Sequence, residues 1–194
     1  MTNVLALDVA ILPPPEVADR AIRWSAALPP AESHGLLLDD QHLPHVTLTQ
    51  QFVRVEELDA IYDRLEGVLR DHPPLLLQVT GGGHAGSSVW MEIEKSEALL
   101  ALHEQLMETL RGFERPGGTA AAFADGDARV GDVMWVTGYR LKSSLHAYTP
   151  HITLGHASEA PRIDPFSFEA TTVAACHLGR FCSCRRVLRS WTLA

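Results

Sequence analysis

Leu43 to Gln50 reads LPHVTLTQ, and Thr149 to His156 reads TPHITLGH. One chain thus writes Pro-His-(Val/Ile)-Thr-Leu twice, once in each half. Side chains alternate between the two faces of a strand, so each histidine leaves the same face as the threonine two residues on. At ~3.3 Å rise per residue their Cβ atoms lie roughly 6–7 Å apart, close enough for imidazole and hydroxyl to meet one ligand together. The proline before each histidine suits a strand's opening, where a missing N–H costs little. Strict alternation puts His45, Thr47, Thr49 and Gln51 on a polar face, and Val46, Leu48, Gln50 and Phe52 on a largely apolar one.

Working outward, Val4 to Leu12 is β-rich and ends at Pro13-Pro14-Pro15. Val17, Ala21, Trp24 and Leu28 then stripe an amphipathic helix that Pro29-Pro30 stops. Leu58, Ile61, Tyr62, Leu65, Val68 and Leu69 mark a second helix within Val55 to His72, ended by Pro73-Pro74. LLLQVTGG and SVWMEIEK read as strands joined through the glycine-rich GGGHAGS, followed by a third helix over Glu97 to Phe113. Residues 114–134 lack periodicity and read as a long surface loop; loops of that length often act as lids. MWVTGYRL then suggests a strand, and FSFEATTVAACHLG with CRRVLRSWTL a closing hairpin. The pattern is α+β, in one domain of two lobes over 1–194.

At 194 residues and 46% apolar content, the chain can bury a sizeable core. A net charge of −8, from 16 basic and 24 acidic residues, argues against a long nucleic-acid tract as partner; a small nucleotide or an RNA terminus remains compatible. The N-terminus has no basic region before its apolar run and reads as a first strand rather than a signal peptide. No stretch reaches the ~18 apolar residues of a membrane span. Cys176, Cys182 and Cys184 leave at least one thiol unpaired, so a reduced, cytoplasmic setting is expected, with no membrane partner and a monomer as the working state.

Two histidines facing one cavity, each with an unperturbed pKa of ~6.5, can stand as a neutral base and a charged acid. Such a pair suits displacement at phosphorus: one imidazole takes a proton from the attacking water or hydroxyl, the other gives one to the leaving oxygen. The threonine hydroxyls would meet the non-bridging oxygens where charge builds. This chemistry requires no metal and no cofactor.

The duplicated His-x-Thr-Leu, the proline before each histidine, the helix after the first copy and the closing HLGRF…VLRSWTL segment together resemble the 2H phosphoesterase superfamily, in its 2′-5′ RNA ligase-like branch. Two extended copies in a chain of this size are far more specific than one three-residue match. The resemblance implies a bilobal, pseudo-two-fold fold in which two antiparallel sheets form a cleft with helices outside. It casts His45 and His151 as the acid–base pair, and Thr47 and Thr153 as phosphate ligands. The second-motif His151 would be the base and His45 the acid in opening a 2′,3′-cyclic phosphate or a 2′-5′ linkage of RNA or a nucleotide. Gln51 and Tyr148 are further substrate-binding candidates, Tyr148 as a ring on which a base could stack. Some relatives carry arginine where this chain has His156, which alternation turns away from His151. Arg54, Arg140 and Lys142 are then the candidates to neutralise phosphate.

Other patterns read as structure. GGGHAG lacks the Lys-Ser/Thr of a phosphate loop and is a turn; DGDARVGD lacks the oxygen ligands and glycine of a calcium loop. CHLGRFCSC has ligand spacings unlike those of common zinc sites. His103 lies on a helical apolar stripe, at the core's edge. Two rival functions stay open: a non-catalytic binder of a nucleotide or RNA end, and a metal hydrolase using His42, His45, His151 and Asp39 or Asp40.

Overall fold

Proline punctuation and apolar periodicity set most of the element order in the computed structural model, which describes residues 3–194. Strand β1 (Val4–Leu12) runs into helix α1 (Pro15–Ala26), whose first residue is proline, a residue suited to a first helical turn. Strand β2 (Val46–Arg54) carries the first motif and leads through a short 3₁₀ turn into α2 (Leu58–Leu69). The hairpin β3 (Leu75–Ala85) and β4 (Ser88–Ile93) precedes α3 (Glu97–Thr109), capped by the Ser96 hydroxyl accepting from the Leu99 amide. Helix α4 (Val130–Lys142) precedes β5 (His151–His156), the second motif, and then come β6 (Phe166–Ala170), β7 (Thr172–Leu178) and β8 (Cys184–Thr192).

The strands form two antiparallel four-stranded sheets, ordered β2-β1-β7-β8 and β5-β4-β3-β6. Each motif strand is the edge of its sheet, and β2 and β5 come into contact where the lobes meet. Alternate residues Leu7, Val9 and Ile11 of β1 join Ile61 and Leu65 of α2, Leu99 and Leu106 of α3, and Met91 and Ile152 of the second sheet in one buried core. Both lobes therefore share a single hydrophobic interior. Among the described residues no helix is long and apolar enough to cross a membrane.

Four expectations are corrected. Residues 134–141 are helical: α4 buries Val136 and Tyr139, spaced for one helix face, whereas its Val, Trp and Tyr content mimics a strand. The segment 114–134 is not a plain surface loop. Phe123 is buried against Phe52, Ala6 and Val136, and the segment's last residues open α4. Gly81, Gly82 and Gly83 lie within β3, not in a turn. A Cβ on Gly82 would come within 2.0 Å of the Pro161 carbonyl oxygen, and one on Gly83 within 2.3 Å of Trp90 Nε1. The run FSFEATTVAACHLG splits at Thr171: β6 pairs with β3 in one sheet, while β7 pairs with β8 in the other.

Candidate active site

A cavity of about 730 Å³ opens between the two motif strands, a volume suited to a nucleotide-sized ligand. His45 and Thr47 line it from one sheet, and His151 and Thr153 from the other. Each histidine is held in the same way. His45 donates Nδ1–H to the Leu43 carbonyl at 2.8 Å, and His151 donates Nδ1–H to the Thr149 carbonyl at 2.7 Å, both two residues upstream. A carbonyl can only accept, so Nδ1 carries the hydrogen and Nε2 keeps its lone pair in each neutral ring. The His151 ring also packs against Trp90, with centroids 5.3 Å apart. Burial lowers the His151 pKa below 6.5, the backbone bond opposes that shift, and the nearby His45 adds to it.

Behind His45 stands a residue that motif reading missed. Asp8, fully buried in β1, has Oδ2 3.7 Å from His45 Nε2. The same oxygen accepts from the Thr47 hydroxyl at 2.9 Å and from Gln50 Nε2 at 2.7 Å. Burial raises the Asp8 pKa, against the opposing pull of His45 and these two donors. The available signal was a lone acid within VLALDVAIL. The Thr47 hydroxyl is thus turned to Asp8; the Thr153 hydroxyl has no such partner among the described residues.

Alternation fails at the same place in both motifs. In β2, Val9 pairs with Thr49 and Ala10 with Thr47, so Leu48 is the extra residue of a bulge. In β5, Val89 pairs with Gly155 and Trp90 with Thr153, leaving Leu154 as the extra residue. Beyond each bulge the faces exchange. Gln50, not Gln51, therefore shares the cleft face. Gln51 is buried on the other side, beside a smaller cavity of about 330 Å³ bordered by Arg115 and Arg140. The bulge likewise brings His156 into the cleft, against expectation, with Gly155 at φ +148° making the turn.

Tyr148 lines the cleft but is only 2% exposed. It donates its hydroxyl to the Thr47 carbonyl at 2.7 Å and stacks on His103 at 3.8 Å between centroids. It joins the lobes and is not an open platform for a base. His103 is fully buried: Nδ1–H donates to the Leu48 carbonyl at 2.6 Å, and Nε2 accepts from the Leu145 amide at 2.8 Å.

Of the cations proposed from sequence, Lys142 lines the cleft, whereas Arg140 pairs with Glu114 and Arg54 lies 4.0 Å from Glu57. Arg129, unforeseen, also lines it. Its guanidinium sits 3.9 Å over the Phe181 ring and pairs with Asp132 at 2.6 Å. Burial alone would raise the Asp132 pKa, but hydrogen bonds from Arg129 and from the Phe181 amide pull it below the usual range. Trp135 stands 48% exposed at the rim. The rival metal set is not assembled: His42 binds Asp39 at 2.9 Å and Arg185 at 3.0 Å, and neither His42 nor Asp39 borders the cleft.

The family model described as the 2′-5′ RNA ligase superfamily matches residues 13–175. No curated protein matches the chain in sequence. Among solved structures, ligand-free Escherichia coli LigT aligns with a TM-score of 0.62 at 22% identity, covering 98% of this chain and 98% of LigT. LigT complexed with 3′-AMP gives the same score and identity over 98% and 99% of the two chains. The Thermus thermophilus protein TT0787 aligns at 0.64 with 18% identity, over 97% and 98%. At these identities the structures establish a shared fold, and the family model, spanning most of the chain and both copies of the motif, establishes descent: the chain belongs to the 2′-5′ RNA ligase superfamily.

Proposed function

We propose that the protein is a metal-independent phosphodiesterase that opens a 2′,3′-cyclic phosphate, or cuts a 2′-5′ linkage, at an RNA end or in a nucleotide. The observation that carries this reading is the matched fixation of His45 and His151, each anchored through Nδ1 and each on one wall of the same cavity. In the reaction, neutral His151 takes a proton from water as the new P–O bond forms. His45, with Asp8 behind it, gives a proton to the ester oxygen as the old P–O bond breaks. Thr153 donates to a non-bridging oxygen, and Lys142 and Arg129 offset phosphate charge from the rim. The reverse step would join a 2′-5′ linkage and exchange the two imidazoles' roles. The LigT structures with phosphate and with 3′-AMP are consistent with a phosphate-bearing ligand in this fold.

The test is turnover of 2′,3′-cyclic nucleotides and 2′-5′-linked dinucleotides in the presence of EDTA. His45→Ala and His151→Ala should each lower kcat by about 10²–10⁴-fold while the thermal transition is kept. Because burial lowers His151, the acid limb of kcat/KM should fall below pH 6.5. Tight binding without turnover across that panel would replace the enzyme with a nucleotide or RNA-end binder.

A further inference from the structure

Asp8, His45 and Cys184 converge behind the cleft wall: His45 lines the cavity, and Asp8 and Cys184 lie fully buried behind it. One carboxylate oxygen, one imidazole nitrogen and Cys184 Sγ all lie within 4.8 Å of one another. Three points so spaced share a position no more than about 2.8 Å from each, and small side-chain rotations bring that to the ~2.0–2.3 Å of zinc bonds to oxygen, nitrogen and sulfur. Three further features suit an ion there. Asp8 Oδ1 is fully buried and has no hydrogen-bond partner among the described residues. The Nδ1 bond from His45 to the Leu43 carbonyl is the outer support that orients a metal-binding imidazole with its Nε2 lone pair free. Cys184 is drawn up by the turn at 179–183 and anchored by a backbone bond from the Leu43 amide to its own carbonyl at 3.0 Å, which ties the thiol's strand to the start of the first motif.

We propose that Asp8, His45 and Cys184 form an inhibitory site for a thiophilic divalent ion of the zinc type, which takes the His45 Nε2 lone pair and so silences the acid–base pair. A mixed sulfur, nitrogen and oxygen set selects such an ion over magnesium or calcium. On binding, the Cys184 thiol releases its proton to solvent and Sγ bonds the ion. The fourth ligand position is left to water or a phosphate oxygen. This set shares only His45 with the hydrolytic rival, which called on His42, His45, His151 and Asp39 or Asp40. The inhibition, though not the binding, rests on the phosphodiesterase reading.

The experiment titrates the full-length protein with Co²⁺ as a spectroscopic probe, then with Zn²⁺ as competitor. Wild type should give a thiolate-to-cobalt charge-transfer band at one equivalent, removed by zinc. Cys184→Ala and the isosteric Asp8→Asn, each checked for an intact thermal transition, should lose the band, while Cys182→Ser keeps it. In parallel, zinc should inhibit cyclic-nucleotide turnover by wild type, reversibly with EDTA. Cys184→Ala, scored against its own metal-free rate, should need at least about tenfold more zinc for half-inhibition. No band in wild type, or a band that survives in Cys184→Ala, overturns the site even if turnover is strong. A band that obeys these rules in a protein with no turnover keeps the site and removes the enzyme reading instead.

Discussion

Gln50 and His156 occupy equivalent places in the two halves of the cleft: each lies three residues beyond its motif threonine and is turned inward by a bulge at the intervening leucine. The duplicated stretch is therefore longer than its His-x-Thr core. The two halves then diverge in chemistry. Gln50 clamps Asp8 and Thr47, whereas His156 donates Nδ1–H to the Ser33 carbonyl at 3.2 Å and packs beside Phe181.

Gln50→Leu should expose this inequality. It deprives the buried Asp8 Oδ2 of a 2.7 Å hydrogen bond while leaving that of Thr47, so a loss of about 1–3 kcal/mol is expected together with a fall in kcat. Gln51→Leu lies on the far face, and its kcat/KM should stay within about twofold of wild type. Chemical denaturation and steady-state kinetics on both variants decide the point. Equal kinetic damage from the two would return the strand to plain alternation.

Gly83 and Gly81 offer a steric test of the second wall. A Cβ on Gly83 meets Trp90 Nε1 at 2.3 Å, and Trp90 rests against His151; a Cβ on Gly81 meets only the Ile163 carbonyl oxygen at 3.9 Å. Gly83→Ala should therefore cost about 1–3 kcal/mol and lower kcat by displacing Trp90 toward the imidazole. Gly81→Ala should be tolerated. A crystal structure of Gly83→Ala would reveal a moved Trp90 ring, and an unmoved ring with full activity would separate Trp90 from His151 placement.

Much of this is legible in the sequence alone. The repeated Pro-His-x-Thr-Leu picks out both edge strands and both imidazoles, because period-two alternation holds from His45 to Thr47 and from His151 to Thr153. It fails one residue later, where a bulge arises from pairing with β1 and β4, which no local pattern records. Asp8 is not legible because nothing near it repeats; its meaning comes from Thr47 and Gln50 on the neighbouring strand. The stretch 134–141 of helix α4 reads as a strand because Trp135, Val136, Thr137 and Tyr139 favour sheets, and packing against β2 outweighs that preference. The glycines of β3 resemble a turn because their reason lies on other segments, at Trp90 and Pro161.

His103 makes stability depend on pH. It is buried as a neutral ring with both nitrogens engaged, and burial lowers its pKa below 6.5. Below about pH 6.5 the unfolded chain therefore binds a proton that the folded chain refuses, and the folded state loses stability as pH falls. His151, His156 and His177 are lowered by burial too and add to the same slope. Denaturant midpoints should drop between pH 7 and pH 5. His103→Gln should lower the midpoint at pH 7 while flattening the decline, and an unchanged slope would move its cause to the other three imidazoles.

The two motif threonines should separate by readout. Thr47 gives its hydroxyl hydrogen to Asp8 at 2.9 Å, so Thr47→Val strips a buried carboxylate of a donor and should cost about 1–3 kcal/mol of folding stability. The Thr153 hydroxyl lines the cleft without such a partner among the described residues, so Thr153→Val should leave the thermal transition nearly unchanged. Its loss should appear in kcat, since a donor to a non-bridging oxygen matters most as charge accumulates there, and removing one such donor costs roughly 10²–10³-fold in comparable sites. Thermal melts and single-turnover rates on the two valine variants make the comparison. If Thr47→Val proves the unstable variant with the smaller loss in kcat and Thr153→Val the stable, slow one, the halves of the duplicated motif have divided their labour: one hydroxyl holds the acid's carboxylate and the other meets the phosphate.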